Sequence, residues 1–173
     1  FTRQLACGVY DIDRVECEFK SLMTNTAPTC AYRGAGRPEA TAAIERAVDL
    51  FAAEIGMDPA EVRRINFIPP TAFPFTTATG TLYDSGDYEK ALDAALEASN
   101  YKGLRAEQEK RRQNKSTKQI GIGVATYVEI TGFGGSEYGH ISLRPDGTVL
   151  ATTGATPIGT GHFTTWAMIV AEK

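Results

Sequence analysis

Residues 154–162 read Gly-Ala-Thr-Pro-Ile-Gly-Thr-Gly-His and lie between a predicted strand and a predicted helix. At such a position, unpaired backbone amides and the positive end of a helix dipole hold anions. The segment is not a Walker A loop, because Thr160 and Gly161 follow Gly159 where that loop requires Lys and Ser or Thr. Glycine content alone leaves two interpretations open, a cradle for an anion or cofactor and a plain connecting loop.

A second candidate site is the loop that contains Arg33 and Arg37. These arginines bracket Gly34 and Gly36 directly ahead of a predicted helix. A planar guanidinium beside closely approaching backbone is suited to binding an oxyanion or a carboxylate. The alternative is a capping turn with surface arginines.

The remaining polar candidates point to structural roles. His140 falls in a strand pattern and His162 at a helix start, and neither has an acidic partner at a spacing typical of metal binding or nucleophilic catalysis. Glu129 lies between two apolar residues of a predicted strand. An exposed strand face is favoured for it over a role in acid–base chemistry.

The composition is that of an ordinary globular protein. Its 173 residues are 42% hydrophobic and 23% charged, which argues against collagenous, disordered and disulfide-scaffold classes. A net charge of −3 gives no global support for binding nucleic acid or an anionic membrane surface. No apolar run reaches the ~20 residues that cross a bilayer. Cys7, Cys17 and Cys30 form no zinc-type pair, and without a secretory signal they predict a reduced, cytoplasmic location.

The first part of the chain begins with two short predicted strands, at residues 5–10 and 17–23. A helix that Gly56 ends is predicted by four apolar residues at helical spacing: Ile44, Val48, Phe51 and Ile55. Three charged residues lie opposite this apolar face: Glu45, Arg46 and Asp49.

Two more helices carry capping signals. Asp58 begins a short helix that runs to about Phe67, and Asp87 caps another that ends near Asn100. Residues 68–86, rich in Pro and Thr, predict a loop between them.

The second part of the chain is predicted to be richer in strands. Residues 102–118 carry seven basic residues against two acidic ones, which is typical of a solvated helix that grades into a linker. A strand is predicted at residues 120–130, followed by a glycine-rich loop at residues 132–136. Residues 138–143 and 149–153 flank a turn signal and predict a hairpin. A final helix is indicated by Trp166, Ile169 and Val170.

Four motifs, in order along nearly the whole chain, resemble those of the xanthine dehydrogenase and aldehyde oxidase superfamily of molybdenum hydroxylases. They lie at residues 31–37, 80–88, 121–129 and 156–165. The chain looks most like the large-subunit branch of form II carbon monoxide dehydrogenases. Because it begins without Met and stops within an apolar-periodic stretch, we expect it to be a fragment.

The resemblance implies an α+β fragment of a molybdenum-cofactor-binding domain, with helices first and an antiparallel strand set second. Residues 1–113 would form the C-terminal part of a first molybdopterin-binding subdomain. Residues 114–119 would be a linker, and residues 120–173 would begin a second such subdomain.

The chemistry that the resemblance implies is oxidation of a small molecule by a molybdenum-bound hydroxide. Molybdopterin cytosine dinucleotide would hold the metal, and iron–sulfur and flavin subunits would carry the electrons away. Arg33 would be the catalytic residue that shapes the pocket, with no protein ligand to a metal. The cofactor would be bound by Gly34, Gly36, Gly159, Thr160, Gly161 and His162.

Three departures from the family pattern bear on the substrate. Gly34 stands where the characterised carbon monoxide enzymes have a copper-binding Cys, so copper is not expected, and Cys30 lies on the wrong side of Arg33. Ala35 replaces a substrate-stacking aromatic of the purine-oxidising relatives. Thr160 replaces a Gln that hydrogen-bonds near the molybdenum ligands.

The family's general-base glutamate and another cofactor-binding glycine segment are not among these residues. We therefore expect the chain alone to have no turnover and to hold cofactor weakly or not at all. The functional hypothesis requires residues 33–37 and 159–162 to line one pocket. A noncatalytic binding or assembly module that retains the fold is the alternative hypothesis.

Overall fold

The computed structural model describes residues 1–28, 32–130 and 135–173. Within them the fold is α+β, as predicted. The helices are α1 (Arg37–Glu54), α2 (Pro59–Asn66), α3 (Tyr88–Ala98), α4 (Tyr101–Gln113) and α5 (His162–Glu172). The strands are β1 (Phe75–Thr76), β2 (Leu82–Tyr83), β3 (Gly139–Leu143) and β4 (Val149–Thr153), which form two antiparallel pairs. The chain divides into two compact units, Phe1–Glu129 and Ile130–Lys173.

Among these described ranges, no helix is long and apolar enough to span a membrane. The division into cofactor-binding subdomains around residues 114–119 stays a prediction.

The helices of the first unit form where capping signals predict them. At the start of α2, Asp58 Oδ1 accepts a hydrogen bond from Ala60 N at 2.8 Å. At the start of α3, Asp87 Oδ1 accepts one from Lys90 N at 3.1 Å. The predicted solvated helix is also confirmed, because α4 buries only its residues Tyr101 and Gln108.

The prediction that Glu45 lies opposite the buried face of α1 is wrong. Glu45 is 5% exposed, whereas Phe51 and Ile55, which helped to define the predicted apolar face, are about half exposed. The reason is Arg63 of α2, which is fully buried and donates from Nε to Glu45 Oε2 at 2.8 Å. A buried guanidinium needs a carboxylate partner, and this need overrides the pattern of apolar residues.

The Glu45 carboxylate binds two further segments of the chain. The Tyr10 hydroxyl donates to Oε1 at 2.5 Å, and Thr126 N–H donates to Oε2 at 2.9 Å. Arg63 also donates from its guanidinium to Asp49 Oδ1 at 2.9 Å. This network joins α1 and α2 to segments that lie 35 and 81 residues from Glu45 in the sequence.

The hydrophobic core of the first unit contains two clusters of buried residues. One cluster consists of Val9, Tyr10, Ala60, Phe67, Leu92 and Tyr101, and a second of Leu5, Ala40, Ile68 and Tyr83. The rings of Tyr10 and Phe67 stack with their centroids 5.9 Å apart. Each large apolar side chain buried in this way contributes roughly 1.5–3 kcal/mol.

The two strands predicted for residues 5–10 and 17–23 do not occur. A short 3-10 helix forms at Arg3–Leu5, and the chain turns at Gly8, whose backbone is left-handed (φ 57°). Within the first predicted strand, Tyr10 forms an isolated β-bridge to Phe67. Residues 17–23 are exposed and pair with no described strand. Their apolar side chains have no buried face to occupy, so their strand propensity is not realised.

The segment predicted as a strand at residues 120–130 has the burial pattern of a strand but no ladder. Even-numbered residues from 120 to 128 are half-buried, and the odd-numbered residues between them are exposed. Ile122, Val124 and Val128 pack against the core. No described strand pairs with this segment. A period of two determines which side chains face the core, but it does not supply a pairing partner.

The second unit contains the predicted hairpin and the final helix. Strands β3 and β4 pair with Gly139 opposite Thr153 and Leu143 opposite Val149. The turn is closed by Gly147 N–H, which donates to Arg144 O at 3.0 Å. Several large apolar side chains of this unit are exposed: Ile141, Leu143, Phe163 and Met168. The glycine-rich loop predicted at residues 132–136 lies outside the described residues for positions 132–134.

Replacing Glu45 by alanine should lower the free energy of unfolding by about 3–5 kcal/mol, because it removes the carboxylate from a fully buried guanidinium. Glu45→Gln keeps a hydrogen-bond acceptor but loses the charge, so its free energy of unfolding should lie between those of Glu45→Ala and the wild-type chain. Urea denaturation followed by circular dichroism measures both. The control is Glu107→Ala, which breaks the half-exposed Glu107–Arg111 pair within one helix and should change stability little. If Glu45→Ala and Glu107→Ala lower the free energy of unfolding equally, the buried pair does not contribute more to stability than the control pair.

Burial and a hydrogen bond to Asp58 raise the pKa of Tyr101 to about 12. The tyrosine of an unfolded chain has a pKa of about 10. The contribution of the neutral Tyr101 side chain to the free energy of unfolding is therefore complete below that pH, and it is lost as the pH rises through the pKa of the folded protein. Tyr101→Phe should therefore be less stable at neutral pH and should lose less stability under alkaline conditions. Unfolding at stepped pH values measures this, with Tyr127→Phe, an exposed position, as the control. If Tyr101→Phe loses as much stability at alkaline pH as the wild-type chain does, ionisation of Tyr101 is not the cause of that loss.

Candidate cofactor site

Residues 32–37, called here the arginine–glycine loop, form a tight turn ahead of α1. Three consecutive residues have positive φ: Gly34 (94°), Ala35 (47°) and Gly36 (96°). The Ala35 N–H donates to Tyr32 O at 2.7 Å, and the Arg37 N–H donates to Gly34 O at 3.0 Å. The left-handed region costs a non-glycine residue about 1–2 kcal/mol. Packing around the loop must therefore support Ala35.

Both glycines of this loop are required by their surroundings. A Cβ atom at Gly34 would lie 2.6 Å from Pro38 Cδ, and one at Gly36 would collide with the Thr2 hydroxyl. Their positive φ values disfavour any other residue as well. The loop therefore has a backbone conformation that only glycine at both positions can give.

The two arginines of the loop have different surroundings. Arg33 lies at the exposed surface. The Arg37 side chain is only 14% exposed, and its NH1 lies 2.9 Å from Glu129 Oε1. Its guanidinium also lies over the Phe1 ring, 4.6 Å from the ring centre. The two predicted arginines thus differ in exposure, Arg33 being exposed and Arg37 largely buried.

Residues 159–162, called here the glycine–histidine loop, lead into α5. Gly159 and Gly161 have φ values of 92° and 71°. Gly161 is the N-cap of α5 and provides no side chain to cap it. Its carbonyl accepts the first helical hydrogen bond, from Thr165 N at 3.0 Å. The amides that precede Thr165 in the first turn therefore have no intrahelical acceptor.

His162 begins α5, as predicted. Its ring stacks on Trp166 with centroids 4.4 Å apart. The Nδ1 atom is buried and has no hydrogen-bond partner among the described residues. A buried ring nitrogen without a partner is uncommon in folded proteins and indicates that a polar group belongs next to it.

The two loops lie in separate units, the first in Phe1–Glu129 and the second in Ile130–Lys173. That they line one pocket stays a prediction, as do the individual roles of their residues. Of the cysteines, Cys7 is buried, Cys17 is exposed and both are free thiols. Cys30 lies outside the described residues. Across the part of the chain that the structure describes, no cluster of three His, Cys, Asp or Glu side chains could bind a metal ion.

Sequence reasoning missed the residues that hold the first loop in place. The sequence pattern favours an exposed strand face for Glu129 and gives no link to Arg37. Thr2 and Phe1 carried no signal. These residues approach the loop from distant parts of the chain, so no spacing rule reveals the contacts.

Two family models, both described as a molybdopterin cofactor-binding domain, match residues 2–67 and residues 94–173. The arginine–glycine loop falls in the first matched range and the glycine–histidine loop in the second. The chain belongs to the molybdopterin cofactor-binding domain family. The resemblance found in the four sequence motifs is thereby confirmed.

Relatives of this chain in the family include two bacterial proteins. It is 41% identical to the carbon monoxide dehydrogenase large chain of Hydrogenophaga pseudoflava, over 98% of this chain and 23% of that protein. It is 33% identical to the 6-hydroxypseudooxynicotine dehydrogenase complex subunit gamma of Paenarthrobacter nicotinovorans, over 99% of this chain and 22% of that protein. The chain thus spans less than a quarter of the length of these relatives.

Solved structures confirm the fold. The crystal structure of quinoline 2-oxidoreductase from Pseudomonas putida 86 matches 98% of this chain and 23% of that one, with a TM-score of 0.84 and 31% identity. A Cu,Mo-CO dehydrogenase in its carbon monoxide reduced state matches 77% of this chain and 19% of that one, with a TM-score of 0.63 and 34% identity.

Gly36→Ala should lower the free energy of unfolding by about 2–3 kcal/mol, because it combines a strained left-handed backbone with a collision at Thr2. The control is Gly80→Ala, where φ is 82° and nothing lies within 4 Å of the new methyl group. That variant should lose only about 1 kcal/mol. Denaturant midpoints compare the two. If their losses are equal, the contact between Gly36 and Thr2 does not constrain the loop.

Proposed function

We propose that this chain contributes two cofactor-binding loops to an oxidoreductase that hydroxylates a small, electron-poor carbon compound, an aldehyde or an N-heterocycle. The cofactor is molybdopterin cytosine dinucleotide, and iron–sulfur and flavin subunits of the same complex are the partners. The chain alone is expected to be inactive, because the general base belongs to another part of the subunit. The conformation of Gly34 is the observation that favours an aldehyde or an N-heterocycle over carbon monoxide as the substrate.

The glycine–histidine loop fits an anionic cofactor group. No side chain caps α5, and open space surrounds the position where Gly161 would carry a Cβ. Backbone amides at such a helix start bind phosphate. In the tautomer with its proton on Nδ1, His162 adds a donor that otherwise has no described acceptor. We infer that Gly159, Thr160, Gly161 and His162 hold the cofactor in this way.

When bound, the molybdenum cofactor supplies the hydroxylation chemistry, in which water provides the oxygen that replaces a hydrogen on carbon. Two electrons and two protons are released, and the partner subunits accept the electrons. Arg33 contributes a cation that orients the substrate from the exposed side of the arginine–glycine loop. Gly34 and Gly36 let the backbone of that loop approach the cofactor closely. Ala35 leaves room for a flat substrate.

Gly34 argues against a copper-dependent reaction. The residue after Arg33 is where the carbon monoxide enzymes carry their copper-binding Cys, and Gly34 provides no thiolate for Cu(I). A side chain there would meet Pro38 Cδ at 2.6 Å and would force a φ of 94° on a residue with a Cβ. This backbone conformation therefore does not accommodate the missing ligand without a shift of Pro38.

Oxidation of carbon monoxide is the second candidate, favoured by the 41% identity to a carbon monoxide dehydrogenase large chain. The match to the quinoline 2-oxidoreductase structure extends over more of this chain and has the higher TM-score. Together with Gly34, that match supports the hydroxylase.

The purified whole complex should oxidise an N-heterocycle or an aldehyde with an artificial electron acceptor, and should contain molybdenum without stoichiometric copper. Activity assays and metal analysis check this. Oxidation of carbon monoxide with copper present at one per molybdenum would establish the second candidate. A folded complex without molybdenum would instead favour a noncatalytic module.

Gly161→Asp tests the anion site, because aspartate is a good N-cap and adds a negative charge where the cofactor phosphate would bind. The variant complex should fold normally and lose most of its molybdopterin, measured by metal content and pterin fluorescence. Gly80→Asp, at a similarly open position with positive φ, should retain its cofactor. If the Gly161→Asp complex retains full cofactor, the loop does not hold it.

A further inference from the structure

Arg37 is held at the junction between the arginine–glycine loop and α1. Its NH1 lies 2.9 Å from Glu129 Oε1, and its guanidinium lies over the Phe1 ring, 4.6 Å from the ring centre. Charge-assisted hydrogen bonds and cation–π contacts are both stronger when the cation is partly desolvated. With only 14% of its side chain exposed, Arg37 meets that condition.

The same residue closes the loop through its backbone. The Arg37 N–H donates to Gly34 O at 3.0 Å, which completes the turn that contains Ala35 in its left-handed conformation. A displacement of Arg37 would release this hydrogen bond and let Ala35 return to a less strained conformation. The position of Arg33, on the same turn, therefore depends on Arg37.

Glu129 belongs to a segment that is well anchored. Its neighbour Val128 packs against both hydrophobic clusters of the first unit. Three residues before Glu129, Thr126 N–H donates to the buried Glu45 carboxylate at 2.9 Å. The Glu129 carboxylate thus extends from a fixed support, although it is itself 45% exposed.

We propose that Glu129 is a positioning residue for the active-site loop, because it holds Arg37 and thereby fixes the turn that presents Arg33. The effect on catalysis rests on the proposed function. The effect on the conformation of the loop does not, and it can be measured on the chain without cofactor.

Hydrogen exchange of the 173-residue chain tests the conformational part. In Glu129→Ala, the Ala35 and Arg37 amides should exchange about three- to tenfold faster, because the ion pair no longer stabilises the turn. Glu129→Gln keeps an oxygen that accepts from Arg37 and should show a smaller increase. Amides within α2 and α3 should keep their protection.

The matched control is Glu107→Ala, which breaks another arginine–carboxylate pair, at 2.7 Å within α4. It should leave exchange in the arginine–glycine loop unchanged. Unchanged exchange in Glu129→Ala would overturn the proposal. A uniform increase throughout the first unit would also overturn it, because that result would assign Glu129 a general structural role.

The whole complex tests the catalytic part. Glu129→Ala should lower kcat about tenfold through misplacement of Arg33, with molybdenum content, Tm and KM unchanged, and Glu129→Gln should recover part of the loss. An unchanged kcat in a loaded Glu129→Ala enzyme would overturn the catalytic part. If the wild-type complex contains no molybdenum, the proposed function fails, while the exchange experiment still decides whether Glu129 holds the loop.

Discussion

The buried ion pair between Glu45 and Arg63 is the constraint on which the first unit depends. A guanidinium that is removed from water requires its charge and its donors to be satisfied, so the partners must arrive from fixed directions. Glu45 also binds Thr126, and eight residues earlier on α1 Arg37 binds Glu129. Eight residues span about 12 Å of helix and three span about 10 Å of extended chain. These similar lengths let the helix and the segment be joined at two points.

The two candidate loops share a physical principle. Both use glycines with positive φ to expose backbone rather than side chains, and both lie at the start of an α-helix. Their support differs. Thr2, Phe1 and Glu129 contact the first loop, whereas the second is exposed and Nδ1 of its histidine has no hydrogen-bond partner among the described residues. The first loop is therefore largely organised by the chain itself, and the second has the character of a binding surface that a ligand completes.

Local signals in the sequence predicted the helices, their caps and the hairpin, because Asp58, Asp87 and Gly147 act within a few residues of their own positions. The motifs likewise identified the family. The burial of Glu45 was not predictable, since it depends on a contact with Arg63 in another helix. The segment at residues 120–130 shows the same limit. Its alternation of apolar residues can be recognised in the sequence, whereas the absence of a partner strand among the described residues cannot.

The contact between His162 and Trp166 has a practical consequence. The chain contains one tryptophan, and its indole ring lies against the imidazole at the start of α5. A movement of the loop that separates the two rings changes the surroundings of this indole. The intrinsic tryptophan fluorescence of this chain therefore reports on the surroundings of the glycine–histidine loop without any attached dye.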